Sequence, residues 1–470
     1  MDLAAVLDGP AWAMRRRLVE REFSVVEVVR ATLDRIAERD RVVHSFLTID
    51  TEGALARAEE LDEKLARGDL LGPLFGIPVS LKDLFETAGL RTTSGSRALA
   101  DYVPDWDSVH AQRLREADAV IVGKTNTPEF AVFTRTTNDL MPETVNPWDH
   151  GRSPGGSSGG AAASVAAGLT QIAIGSDGGG STRIPAALCG LFGLQPSQGL
   201  VPHVGGLVGT LLFSSAGPIT RDVRDAALTL QVLAGPDARD PMSLRDAPGD
   251  YLSNLDDQVG DLRFAWLERS GLIDASAEVA QQCRDAAREL VALGATVRAA
   301  SGSMQADRWR DGFYQMMMSD RYASGGARFY EDVDTRALLT DYARTHFERA
   351  AKITGAQYSH ALEERFHAIR ALEALFEGAD LLLTPTVGMV APELAADRNR
   401  IPDEARLPYV AYTYLINYTG FTAATVPCGT VAGLPVGLQV IGRPGSEATV
   451  LRACRTLERV LPPIVPAAAM

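Results

Sequence analysis

The stretch "GSDGGGSTR", residues 175–183, sets four glycines close to Ser181. Glycine at such density suits a loop whose backbone must approach something small and charged. The serine invites a reading as nucleophile, yet no histidine lies within twenty residues on either side to take its proton. Just upstream, "TQIAIGS" (170–176) reads as a strand leading into the loop, and "AAASVAAGL" (161–169) as a helix of small residues. Before it come the polar loop "GRSPGGSSGG" (151–160), the apolar strand "AVIVGKTN" (119–126) and a shorter strand, "VSLKD" (79–83). Nearer the N-terminus, the apolar spacing from Phe23 to Lys64 predicts two amphipathic helices, with Ser24 as N-cap of the first. Strands alternating with helices predict an α/β architecture around a large sheet.

Between about 240 and 377 the texture turns to charged helical segments, most clearly "YSHALEERFHAIRALEALF" (358–376). Strand-like runs return at "ADLLLTPT", "AATVPCGT" and "LPVGLQVIG". The expectation is a single domain over 1–470, with a core at about 70–230, an inserted helical region at about 240–377 covering the substrate, and a sheet completed by 378–470. No internal repeat or low-complexity linker divides it.

The composition is 46% hydrophobic and 23% charged, with a formal net charge of −14. An acidic chain argues against nucleic acid as partner, because phosphate-binding surfaces need excess Lys and Arg. Four cysteines stand singly, without zinc or disulfide spacing, and read as buried thiols of a cytoplasmic protein. The uncharged stretch 407–442 is broken by Asn417, Gly420, Pro427, Gly433 and Pro435, which predicts interior helix and strand rather than a membrane span.

Three glycine-rich stretches invite familiar labels. "VGKTN" has the end of a P-loop, but that motif needs a glycine where the chain has Asp118. "GGSSG" (155–159) fits the G-x-S-x-G elbow in letters only, since a Pro-bearing polar segment precedes it instead of a strand. Lys82 is the third: it ends an apolar run, where desolvation would make a lysine a neutral base. Read alone, its default explanation is a solvated lysine at a strand end, paired with Asp83.

The combination is more specific. "GPLFGIPVSLKD", "AVIVGKTNTPEF", "NPWDHGRSPGGSSGG", "GSDGGGSTRIPAALCGLFGLQPSQG", "SSAGPITRDVRDAAL" and "VPCGTVAGLPVGLQVIGRPGSE" follow one another in this order. Together they resemble the amidase signature family of serine hydrolases, and the resemblance implies that family's α/β fold, a large mixed, twisted β-sheet core covered by helices on both faces. The resemblance implies Ser181 as nucleophile, Ser157 as bridging serine behind a cis peptide bond, and Lys82 as terminal base. It implies an oxyanion hole from the backbone N–H groups of Gly178, Gly179, Gly180 and Ser181, with Ser158, Asp177 and Arg183 as supporting hydrogen-bond partners. Thr182 and Gly178 depart from the residues common in the family at those positions. No metal and no cofactor are implied.

The implied reaction is hydrolysis of the C–N bond of carboxylic amides, extending to esters and carbamates. The alternative is the glutaminase-type amidase subunit of a glutamyl-tRNA amidotransferase, which works through partner subunits. That subunit would carry a segment like "ASSNLARYDG" where this chain has "GFYQMMMSDRYASGGARFYED". Phe313, Tyr314, Met317, Leu207, Phe213 and Phe133 are candidate pocket residues, and they predict a hydrophobic or aryl small-molecule amide. The expected state is a monomer or homodimer.

Overall fold

The computed structural model describes residues 3–206, 209, 212–400 and 408–464. Its centre is one mixed sheet of eleven strands in the order β1-β3-β2-β4-β6-β5-β10-β11-β9-β7-β8. The strands are β1 (Phe46–Ile49), β2 (Pro78–Lys82), β3 (Val120–Thr125), β4 (Ile172–Asp177), β5 (Phe192–Gln195) and β6 (Ser215–Thr220), then β7 (Arg263–Trp266), β8 (Thr296–Ala299), β9 (Leu381–Pro385), β10 (Thr422–Val431) and β11 (Leu434–Gly442). β2 runs parallel to both of its neighbours, β3 and β4, whereas β10 pairs antiparallel with β5 and β11.

Both faces of the sheet are covered, and the strands record it in their alternation. Leu381 and Leu383 of β9 join one hydrophobic core, and Leu382 between them joins the other. Phe264 and Ala265 of β7 divide in the same way. The first core takes in the helices Val25–Val43, Thr51–Arg67, Ala277–Ala292 and Glu447–Val460, and the second the helices Ala306–Arg321, Gly355–Leu375 and Tyr414–Thr419.

Ser24 caps its helix through a reciprocal box: its side chain accepts from the Glu27 N–H, and the Glu27 carboxylate accepts from the Ser24 N–H. The stretch 240–377 is more than helical. β7 and β8 lie within it and extend the sheet at one edge. Each is four residues long, and neither alternates cleanly, so hydrophobic periodicity passes over them. Among the described residues no helix is long and apolar enough to cross a membrane.

Candidate active site

Because β2 and β4 are parallel neighbours, their C-terminal ends open at the same edge of the sheet. β2 delivers Lys82 there, and β4 delivers Ser176 and Asp177. The loop before the helix Gly159–Ala166 brings Ser157 and Ser158 to the same point, across a cis Gly156–Ser157 peptide bond. Lys82 is fully buried, and its Nζ lies 2.6 Å from Ser157 Oγ, 2.9 Å from Ser176 Oγ and 3.0 Å from Ser158 Oγ. Asp83 is no partner to it; that carboxylate accepts from the Thr93 N–H at 2.9 Å and sits 3.9 Å from Lys124. Burial holds the Lys82 ammonium well below the ordinary lysine range; repulsion from Arg321 adds to this, and Asp177 opposes it.

A neutral amine has two N–H donors and one lone pair. Ser158 Oγ takes one donor, since its own hydrogen goes to the Ser176 carbonyl at 3.2 Å. Ser176 Oγ is placed for the other. The lone pair is left for the Ser157 hydroxyl, which is the polarity needed to draw a proton away from it. Ser176 escaped the sequence reading because it precedes the glycine loop as one more strand residue.

The loop after β4 is held by Asp177. Burial opposes its ionisation, but the Arg183 guanidinium 3.0 Å away, with hydrogen bonds from Arg183, Asn417 and the Gly180 N–H, holds its carboxyl below the usual range. Arg183 is itself fully buried and also reaches Asn417 and Gln439, so it is turned away from any substrate. The Gly180 N–H donates to Asp177 Oδ1 at 2.6 Å. This corrects the expectation that all four backbone donors converge on an oxyanion: Gly180 is committed to shaping the turn. The N–H groups of Gly178, Gly179 and Ser181 have no hydrogen-bond partner among the described residues. Thr413 fixes the loop from the other side, donating through Oγ1 to the Gly179 carbonyl at 2.9 Å.

Gly178, Gly179 and Ser181 open onto a cavity of about 900 Å³, whereas Lys82, Ser157 and Ser158 lie sealed behind them. Phe133, Phe313, Tyr314 and Met317 line it. Phe133 is stacked on Tyr342, with centroids 4.6 Å apart and planes 8° apart. Phe213 does not reach the cavity; it is buried behind Phe313, 5.3 Å between centroids, and contributes by backing that ring. Leu207 lies outside the described residues. The charged part of the wall was not anticipated: Arg310, Arg321, Arg349 and Arg400 share it with Asp341 and His346. Burial, then Arg321 and Arg349, push the His346 imidazole down to about 3. Among the described residues no group of His, Cys, Asp and Glu is placed to hold a metal ion.

The "GKT" of residues 123–125 forms no phosphate loop. Lys124 is buried in β3 with its Nζ on the Phe85 carbonyl and, at 2.7 Å, Thr92 Oγ1.

Comparison with known proteins places this geometry. The amidase family profile matches residues 27–451. The glutamyl-tRNA(Gln) amidotransferase A-subunit of Alkaliphilus metalliredigens (strain QYMF) is 36% identical over 479 aligned positions, covering 95% of each chain. A bacterial aryl acylamidase of the amidase signature family superposes with a TM-score of 0.88 at 32% identity, covering 96% of each chain. The A-subunit of the Thermotoga maritima glutamyl-tRNA(Gln) amidotransferase does so with a TM-score of 0.78 at 30% identity, covering 94% of this chain and 95% of that one. With the profile spanning nearly the whole chain and the same fold in these relatives, the chain belongs to the amidase family and is an enzyme acting on carbon–nitrogen bonds.

Proposed function

We propose that this enzyme hydrolyses a small-molecule carboxylic amide through an acyl-enzyme on Ser181. Ser181 Oγ attacks the carbonyl carbon while its proton passes to Ser157 Oγ, whose own proton passes to the Lys82 amine. The carbonyl oxygen, now an anion, lies against the N–H groups of Gly178, Gly179 and Ser181. As the tetrahedral intermediate collapses the C–N bond breaks, and the proton returns along the same path to the leaving nitrogen. Water then adds to the Ser181 ester, giving the free acid and restoring the hydroxyl. The observation that carries this reading is the 2.6 Å contact between the fully buried Lys82 amine and Ser157 Oγ, beside a loop with three unpaired N–H groups at the cavity. Ser181 Oγ makes no hydrogen bond to Ser157 among the described residues, so the relay needs that link to form with substrate in place; such catalytic contacts are often long before substrate arrives. The test is mass spectrometry of the intact chain after mixing with a p-nitrophenyl ester: one acyl group on native enzyme and none on Ser181→Ala. Acylation persisting in that variant would overturn the reading.

A second reading is supported at least as strongly by the sequence relatives: a glutaminase-type subunit that releases ammonia from glutamine within a tRNA amidotransferase complex. It rests on the 36% identity to the amidotransferase A-subunit over 95% of each chain. The two readings share Ser181 chemistry and differ in substrate and partner. Isolated enzyme should turn over anilides under the first; under the second it should be inert on them and hydrolyse glutamine once its partner subunits are added.

A further inference from the structure

We propose that Arg321 anchors a carboxylate on the substrate, so that the amides this enzyme takes are acids as well as amides, with an apolar or aromatic body. The inference rests on the acyl-enzyme reading of Ser181 and concerns what else the same cavity must hold.

The helix Ala306–Arg321 forms one wall of the cavity, and its lining residues are spaced as a single face. Arg310, Phe313, Tyr314, Met317, Met318 and Arg321 fall at i, i+3, i+4, i+7, i+8 and i+11. The middle of this stripe is aromatic and thioether, and each end is an arginine. The two ends are not alike. Arg310 is 38% exposed and has Asp311 within 3.5 Å. Arg321 is 7% exposed, and among the described residues no carboxylate lies within salt-bridge distance of it. Its Nε is buried without a hydrogen-bond partner. The neighbouring Asp320 attracts it from beyond salt-bridge distance and accepts a hydrogen bond from the Tyr358 hydroxyl at 2.8 Å instead.

A buried guanidinium without a paired anion is expensive, and it lines the same cavity as Ser181. Its planar fork suits a carboxylate in two parallel hydrogen bonds. His346 and Arg349 on the facing helix Asp341–Ala350 line the same space, and His346 Nε2 is also buried without a partner. In a chain of net charge −14, a cavity carrying four arginines and one aspartate is a local reversal of sign. The aromatic expectation from sequence accounts for the middle of the stripe only.

The test compares matched amides that differ by one carboxylate: butyranilide against glutaranilic acid, with the charge on the acyl side, and acetanilide against 4-acetamidobenzoate, with the charge on the amine side. Native enzyme should favour the acid in one of the two pairs. Arg321→Gln should cut that preference, as a ratio of kcat/KM values, by roughly 100-fold, and Arg321→Lys should restore part of it. Preference for the neutral amide in both pairs, or a preference unchanged in Arg321→Gln, overturns the proposal. Should no anilide be turned over, the hydrolase reading fails by itself. Calorimetry of glutaranilic acid with Ser181→Ala then decides about Arg321: binding abolished by the added Arg321→Gln supports the anchor, and binding equal in both variants, or absent from Ser181→Ala itself, removes it.

Discussion

Lys82 Nζ and Ser157 Oγ stand 2.6 Å apart with no solvent access to either, whereas Ser181, the residue that would react, is reachable from the cavity. Base and bridge are thus sealed behind the loop that carries the nucleophile. Replacing Ser181 or Lys82 with Ala should lower kcat by about four orders of magnitude, and combining the two should cost little more, because they act as one unit. Steady-state kinetics on an anilide with far-UV circular dichroism as the folding control checks this. Two losses that multiplied would argue against a single relay.

The pH profile follows from the direction of the Lys82 shift. Burial depresses its pKa, and Arg321 depresses it further. The working form of the base is neutral, so kcat/KM should rise with pH and level off at a midpoint well below that of a free lysine, about 10.4. Removing the Arg321 charge relieves a repulsion that disfavours the ammonium, so the lysine holds its proton to higher pH. The rising limb of Arg321→Gln, measured on acetanilide, should therefore move to higher pH. A move to lower pH would contradict the arrangement.

The loop offers a separate test of the oxyanion donors. Gly180 has φ +117°, and a Cβ there would come 2.4 Å from Thr413 Oγ1 and 2.7 Å from Ile184 Cδ1. Gly180→Ala should displace the neighbouring N–H groups and cost roughly 3 kcal/mol of transition-state stabilisation, about two orders of magnitude in kcat. Thr413→Val, which removes the hydroxyl that donates to the Gly179 carbonyl and, at 3.4 Å, to the Val410 carbonyl, should lower kcat less, about tenfold, with little change in KM.

The limits of the sequence are instructive at these same positions. Lys82, Ser157 and Ser181 are legible as candidates through the ordered landmark segments that resemble the amidase signature family; Lys82 read alone is an ordinary strand-end lysine. The strands β2 and β4 were legible as apolar runs. Gly180 looked interchangeable with its neighbours because a letter does not say whether an N–H is occupied. Arg321 and His346 were hidden in a charged helical region, where a solvated face is the ordinary explanation; only the packing of two helices turns them inward. Cys283 and Cys428 are 145 positions apart in sequence, and their sulfurs lie 3.9 Å apart.

Stability has its own titrating element away from the site, where Asp225 meets the N-terminal helix Ala11–Val19. The Asp225 carboxylate accepts the backbone N–H groups of Ala11 and Trp12 at 2.7 and 2.8 Å and so clasps the helix Ala11–Val19. Burial and the nearby Asp222 push its pKa up to about 7, and burial pushes Glu458 up to about 7 as well. A carboxyl whose folded pKa exceeds its unfolded one is held more tightly as the acid by the native state. Its contribution is fully present below the unfolded pKa, about 3.9, and is lost as pH rises through 7. The melting temperature should therefore fall between about pH 5 and pH 8. Asp225→Asn, which cannot ionise, should flatten that fall, and differential scanning calorimetry at the two pH values reads it. An equal slope in the variant would place the titrating group elsewhere.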